Sequence, residues 1–209
     1  MTEMILLWIV RAGTPKGEIC ERASIGMLAF SFDRHEIVDG LLACKRDGHE
    51  VIFGADKNMT LYGQTRDQIA CMRRLSAGGV DTRVIQGEKT KPIYEKEGRT
   101  TGAEWTGIQH AKTMYVEFTE QGCRRKFFIL GSSNWTLSSR CNHEMSALID
   151  VTLRPGDAGE IKKRFQEVLN RGEPFDAVRA RESVRSRSES PGRLGSTQRR
   201  WIDARKERE

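Results

Sequence analysis

The stretch GIQHAKTMYVEF places His110 and Lys112 two residues apart, and GSSNW follows at 131–135. On an extended strand, residues i and i+2 face the same side, so this spacing aims an imidazole and an ammonium at one spot. A phosphodiester suits such a spot. Its phosphorus is shielded by negative oxygens, so a catalyst must supply a nucleophile, donors that neutralise charge, and an acid for the leaving oxygen. His110 is the candidate nucleophile, because neutral imidazole is abundant near pH 7 given an ordinary pKa of about 6.5. Lys112 offers a fixed positive charge for phosphoryl oxygens. Ser132 and Asn134 add neutral donors at the end of the next strand, and Gly131 lets backbone approach a ligand closely. Glu144, in NHE, is placed to accept a hydrogen bond from the other ring nitrogen of His110 and fix its tautomer.

These residues need a frame, and the sequence ahead of them alternates strand and helix. SIGMLAF (24–30) reads as a buried strand, and Asp33 with Glu36 reads as a carboxylate cap opening a helix. Ile37, Val38, Leu41 and Leu42 fall on one face of that helix, and Gly48 stops it before the strand EVIFGAD (50–56). KNMTLYGQT reads as a polar turn. A second helix carries Ile69, Met72 and Leu75, and VDTRVIQ (80–86) is the next strand. Residues 87–107 read as a long loop. Two strands, TMYVEF and KFFILGSSN, are joined by the turn TEQGCRRK, then comes ALIDVTL (147–153). A last helix runs from Asp157 with Ile161, Phe165, Val168 and Leu169 on one face. The alternation predicts an α/β fold: a mixed, largely parallel sheet flanked by helices on both faces.

Residues 1–175 are expected to form one domain, and 176–209 a disordered basic tail rich in Arg and Ser, too poor in apolar residues to offset ordering entropy. The chain of 209 residues has net charge +6, and residues 179–209 hold ten Arg or Lys against five Asp or Glu. The body is nearly neutral, so attraction to an anionic partner resides mainly in the tail. Five scattered cysteines without a CxxC pair point to reduced thiols and give no metal site. MILLWIV (4–10) is far short of the roughly 20 residues that span a bilayer and reads as a strand. No transmembrane segment is expected, and the expected location is intracellular, cytoplasmic or at the mitochondrial surface.

His110-x-Lys112, Glu117 after four intervening residues, GSSNW and NHE at 142–144, taken in that order, resemble the HKD signature of the phospholipase D superfamily. GSSNWT resembles most the single-motif branch that holds a mitochondrial cardiolipin-cleaving enzyme and a nuclease of small-RNA pathways. The resemblance implies a phosphodiesterase working through a phosphohistidine. His110 would be the nucleophile, Lys112, Ser132 and Asn134 would grip the phosphate, and Glu144 would orient the histidine; no metal or other cofactor is required. Having one motif, the chain is expected to pair as a homodimer whose second His110 acts as general acid. The substrate would be a cardiolipin-like phospholipid or a single-stranded nucleic acid. Three departures stand out: the motif acid is Glu117 rather than Asp, Gln109 precedes the histidine, and thirteen residues rather than the usual six separate the acid from Gly131. The extra residues read as a longer hairpin turn.

Plainer readings stand beside these. Without GSSN and NHE, His110 and Lys112 would be a solvated strand edge. His35, His49 and His143 read as surface or capping residues, and Trp105 and Trp135 as groove walls or core. The tail is either a solubilising segment or one that binds RNA or a membrane surface. The alternative function is a catalytically silent phosphate- or RNA-binding module using the HKD-like site and the tail. It predicts salt-dependent binding without cleavage.

Overall fold

The apolar run SIGMLA forms β1 (Ser24–Ala29), and EVIFGAD forms β2 (Glu50–Asp56) parallel to it, with Met27 opposite Phe53. The computed structural model describes residues 22–62, 66–90, 105–120 and 122–188. β3 (Asp81–Thr90) continues the parallel part beside β2. β4 (Trp105–Ile108) pairs antiparallel with β3. On the other edge of β1, β5 (Thr113–Glu120), β6 (Cys123–Gly131) and β7 (Ser146–Asp150) follow in antiparallel order. The two-residue β8 (Glu173–Pro174) also pairs with β3, and the sheet order is β4-β3-β2-β1-β5-β6-β7.

The expected α/β class and mixed sheet are present, but the parallel share is smaller than the alternation suggested. Two of the seven strand pairings among the described residues are parallel. Helical crossovers stop after β3, and β5 to β6 is a direct hairpin that forces antiparallel pairing.

The helices are α1 (His35–Arg46), α2 (Lys57–Tyr62), α3 (Arg66–Ala77), α4 (Pro155–Asn170) and α5 (Phe175–Ser188). Phe165 and Leu169 of α4 pack with Leu28, Ile85 and Tyr115 on one face of the sheet. Strand alternation turns Met27 and Phe53 to the opposite face, where α1 and α3 pack against each other and the sheet. Ile37, Leu41, Met72 and Leu75 on those helices are fully buried, each such burial worth about 1.5–3 kcal/mol.

Several local expectations shift. α1 starts at His35 after Arg34 with no side-chain cap, and the Asp33 carboxylate accepts instead from Leu137 N–H at 2.8 Å. KNMTLY is helical rather than a turn because Asp56 Oδ1 accepts from Met59 N–H at 2.8 Å and caps its first turn. β3 and β4 take both ends of the predicted 87–107 loop, and residues 91–104 lie outside the described residues. The predicted turn TEQGCRRK is mostly strand: Glu120 pairs with Cys123, and Gly122 sits at φ +75°, where a residue without Cβ is favoured.

The contacts divide the chain after Phe175. The segment expected to be disordered from 176 begins as helix, to Ser188, because Ala177, Arg179, Ala180 and Arg181 are strong helix formers. Residues 189–209 and the MILLWIV run lie outside the described residues. No helix among the described residues is long and apolar enough to cross a membrane. Cys44 and Cys71 are buried free thiols, pushed up by burial to about 12 and about 11; Cys123 and Cys141 are exposed. His49 is buried and accepts from Ala23 N–H at 3.2 Å, a structural role.

Candidate active site

A buried polar chain joins the ends of β1 and β2 to the histidine segment. Gln68 of α3 accepts Phe32 N–H on Oε1 at 3.0 Å and donates from Nε2 to Thr60 Oγ1 at 2.9 Å. Thr60 Oγ1 in turn donates to the Asp56 carbonyl at 2.6 Å. The Asp56 carboxylate, fully buried, accepts Gln109 N–H on Oδ2 at 2.8 Å. The aromatic residue of GSSNW belongs to the same frame. Trp135 is buried and donates from Nε1 to Leu28 O at 3.0 Å, while its backbone bridges Phe32 in parallel register. The sequence left Trp135 between groove wall and core, and the structure gives it the core; the Trp105 side chain lies outside the described residues.

His110 and Lys112 sit in the short connection between β4 and β5 rather than on a strand, yet they meet. Lys112 Nζ lies 2.8 Å from His110 Nε2. An ammonium only donates, so Nε2 accepts and the ring proton resides on Nδ1. The Phe30 ring at the end of β1 holds both groups, edge-on to His110 with centroids 4.7 Å apart and 5.2 Å from the Lys112 nitrogen. Burial and then the adjacent Lys112 charge lower the His110 pKa, against the opposing pull of Asp56. Burial also lowers Lys112, opposed by the Glu144 charge. The imidazole is therefore held neutral near pH 7, with its Nε2 lone pair directed at the Lys112 ammonium.

Ser132 and Glu144 stand together: Ser132 Oγ donates to Glu144 Oε2 and accepts Met145 N–H at 3.2 Å. Asn142 Nδ2 donates to the other Glu144 oxygen at 3.4 Å. The Glu144 carboxylate is thus bonded to Ser132 and Asn142 and makes no hydrogen bond to His110; its reach into the site is its charge on Lys112. Asn134 is half-buried, and its Oδ1 has no hydrogen-bond partner among the described residues. Gly131 serves strand packing rather than ligand approach, since a Cβ there would strike Ser146 and the Met145 carbonyl.

Glu117 is placed apart from this chemistry. It is buried on β5, bonded by Lys162 at 2.7 Å and Arg124 at 3.2 Å, with Lys126 at 3.7 Å and the Tyr115 hydroxyl donating at 3.4 Å. Burial pushes its carboxyl up, but the bonds from Lys162 and Arg124 outweigh that and bring it down to about 2. Two departures from the motif are one feature here. The longer β5–β6 hairpin sets Lys126 opposite Glu117 and Arg124 opposite Thr119, and the longer acid reaches them.

A groove of about 260 Å³ opens beside His110, lined by Ile85, Gln86, Ile108, Val168 and Arg171 among others. Among the described residues, no three His, Cys, Asp or Glu side chains gather as a metal site. Sequence reading passed over Asp56 and Phe30. The available signal was position: both stand at the carboxyl ends of parallel strands or just beyond, where open α/β sheets bind ligands.

Residues 19–171 match the family described as "Cardiolipin synthase, PLD-like domain". Among solved structures, the fold resembles the phospholipase D family member Nuc from Salmonella typhimurium, with TM-score 0.53, 20% identity, 81% of this chain and 89% of that chain covered. NucT from Helicobacter pylori is similar at TM-score 0.55 and 15% identity, covering 83% of this chain and 92% of that one. Polyphosphate kinase from Porphyromonas gingivalis matches at TM-score 0.51 and 12% identity, covering 93% of this chain and 26% of the kinase. No curated protein matches. At these identities the neighbours speak for the fold, while the family match covers most of the sequence: the chain belongs to the phospholipase D superfamily, as a PLD-like domain of the cardiolipin synthase type.

Proposed function

We propose that the chain hydrolyses phosphodiesters through a phosphohistidine on His110. The observation that carries this reading is the 2.8 Å approach of Lys112 Nζ to an accepting His110 Nε2, which supplies a nucleophilic lone pair and a countercharge for phosphoryl oxygen at one point. An incoming phosphoryl oxygen takes the Lys112 donor from Nε2 and the Ser132 hydroxyl proton from Glu144; the freed Nε2 lone pair attacks phosphorus, and the bond to the leaving oxygen breaks while Lys112, Ser132 and Asn134 hold the other oxygens. The leaving oxygen takes a proton from a second imidazole. That base then deprotonates water, which attacks phosphorus and breaks the P–N bond, restoring His110. Glu144 holds Ser132 and balances Lys112.

The second imidazole is His110 of another copy. A surface for that copy lies next to Ser132 and Glu144: β7 is exposed along its whole length, Leu148 and Ile149 both show about two-fifths of their surface, and Met145 shows 82%. Apolar exposure on both faces of an edge strand favours a partner. Substrates of the class are cardiolipin-like phospholipids and single-stranded nucleic acid, and the tail adds charge for either polyanion. A specific feature favours the second reading, a silent phosphate-binding module: Glu144 is bonded to Ser132 rather than to His110.

The test is hydrolysis of bis(p-nitrophenyl) phosphate in excess chelator by wild type, His110→Asn and Leu148→Glu, with sedimentation to read the oligomer. Expected are turnover by a wild-type dimer, a loss of about 10³-fold or more in His110→Asn, and a monomeric, inactive Leu148→Glu. No turnover from a folded dimer would leave the binding module. Labelled cardiolipin vesicles and single-stranded oligonucleotides then separate the substrates.

A further inference from the structure

The segment 109–112 carries the proposed nucleophile but belongs to no strand, so its backbone groups need partners from elsewhere. Two are supplied around His110. On the near side, Asp56 Oδ2 accepts Gln109 N–H at 2.8 Å; on the far side, the Gln109 side chain donates from Nε2 to Ala111 O at 3.3 Å. The imidazole therefore projects from a backbone bracketed before and after it.

We propose that Asp56 is a positioning residue for His110: its buried carboxylate clamps the Gln109 N–H with one oxygen while α2 fixes the other. The proposal rests on the phosphodiesterase reading. Capping α2 alone needs one acceptor, which Asn would supply. Asp56 uses both oxygens, one for Met59 N–H and one for Gln109 N–H, and Asn would meet one of those donors with its own NH2. The clamp is also rigid, because Thr60 and Gln68 tie the Asp56 backbone to Phe32, and Phe30 two residues earlier packs against the imidazole. A displacement on the order of 1 Å at a reacting atom costs about 100-fold in rate, so the clamp acts on turnover more than on substrate affinity.

Asp56 also acts on His110 by charge. The groups facing the imidazole are Lys112 from its own segment, Asp56 from β2, the neutral Phe30 ring from β1 and Arg171 of the loop after α4, which lines the same groove; Glu144 reaches it through Lys112. Asp56 raises the His110 pKa, so removing its charge lowers it further.

The experiment compares wild type, Asp56→Asn and Leu41→Ala as full chains. It reads kcat and KM on bis(p-nitrophenyl) phosphate against pH, the His110 titration by NMR, and melting temperature. Asp56→Asn is expected to lower kcat about 30- to 100-fold with KM within about threefold. It should also move the His110 midpoint and both limbs of the pH profile to lower pH. Leu41→Ala, which empties core space under α1 and touches none of the clamp's bonds, should lower the melting temperature yet leave the midpoint and profile in place. Unchanged kcat and midpoint in Asp56→Asn, or both changes reproduced by Leu41→Ala, would overturn the clamp. If Asp56→Asn does not fold, the wild-type protein decides: the Gln109 amide should exchange slowly and follow the titration of the Asp56 carboxyl, and a fast-exchanging amide rejects the proposal. Absence of wild-type turnover would refute the enzyme reading, while the His110 titration and the amide still judge the clamp.

Discussion

Lys162 Nζ of α4 donates to Glu117 Oε2 of β5 at 2.7 Å, and the same carboxylate is bonded by Arg124 from β6. One acid therefore fastens a helix and a hairpin to the sheet, with its two oxygens divided between them.

Glu117 accordingly acts on stability. Its folded carboxyl titrates at about 2 against an ordinary 4.5, a depressed value, so its contribution is complete above 4.5 and is lost as pH falls from there toward 2. The shift corresponds to something on the order of 3 kcal/mol at neutral pH. Glu117→Gln should lose most of that and flatten the acid dependence of unfolding over this window. Urea titrations at pH 7 and pH 3 measure it; a variant as acid-sensitive as wild type would show that the clamp is not the source.

Trp135 tests whether GSSN depends on its anchor. Trp135→Phe keeps an aromatic filler but removes the donor to Leu28 O, costing about 1–3 kcal/mol because a buried carbonyl loses its partner. Turnover should fall with stability, since Ser132 and Asn134 precede this residue directly. Retained kcat alongside the lower melting temperature would mean that the phosphate donors are seated without it.

Lys112→Met separates charge from nucleophile. The ammonium lowers the His110 pKa, so the variant should titrate at higher pH, opposite to Asp56→Asn, and the acid limb of any activity should move up. Loss of a charged donor at the phosphoryl oxygen should cost about 100-fold or more in kcat/KM. NMR of the imidazole checks the sign, and a midpoint that stays still would remove Lys112 from the electrostatics of the histidine.

The family was legible because its motif's residue types and spacing stand in the sequence, and α1, α3 and α4 because their apolar positions recur at turn intervals. What escaped were contacts made across the sheet. Asp33 looked like a cap for the helix beside it, but its carboxylate serves Leu137. Asp56 looked like the end of a strand, and its two oxygens found partners in α2 and in Gln109. Glu144 stood at the family's offset for His110, yet a serine hydroxyl from the neighbouring strand end reached it first. The stretch after Glu117 was charged enough to pass for a turn, whereas pairing Arg124 and Lys126 with a buried acid keeps it in strand. In each case the deciding partner is remote in sequence, and local pattern carries no trace of it.

That remoteness bears on the life of the molecule as well as on its shape. Trp135 reaches Leu28 across 107 positions, Leu137 reaches Asp33 across 104, and Gln109 reaches Asp56 across 53. Closing such loops comes late in folding, after local helices and the β5–β6 hairpin have formed. A nascent or partly unfolded chain therefore holds an imidazole with no aim, and competence arrives in a single late step once both halves of the sheet have met. The Trp135 and Gln109 bonds are buried and open only as the sheet itself opens, which makes the site a gauge of completed folding.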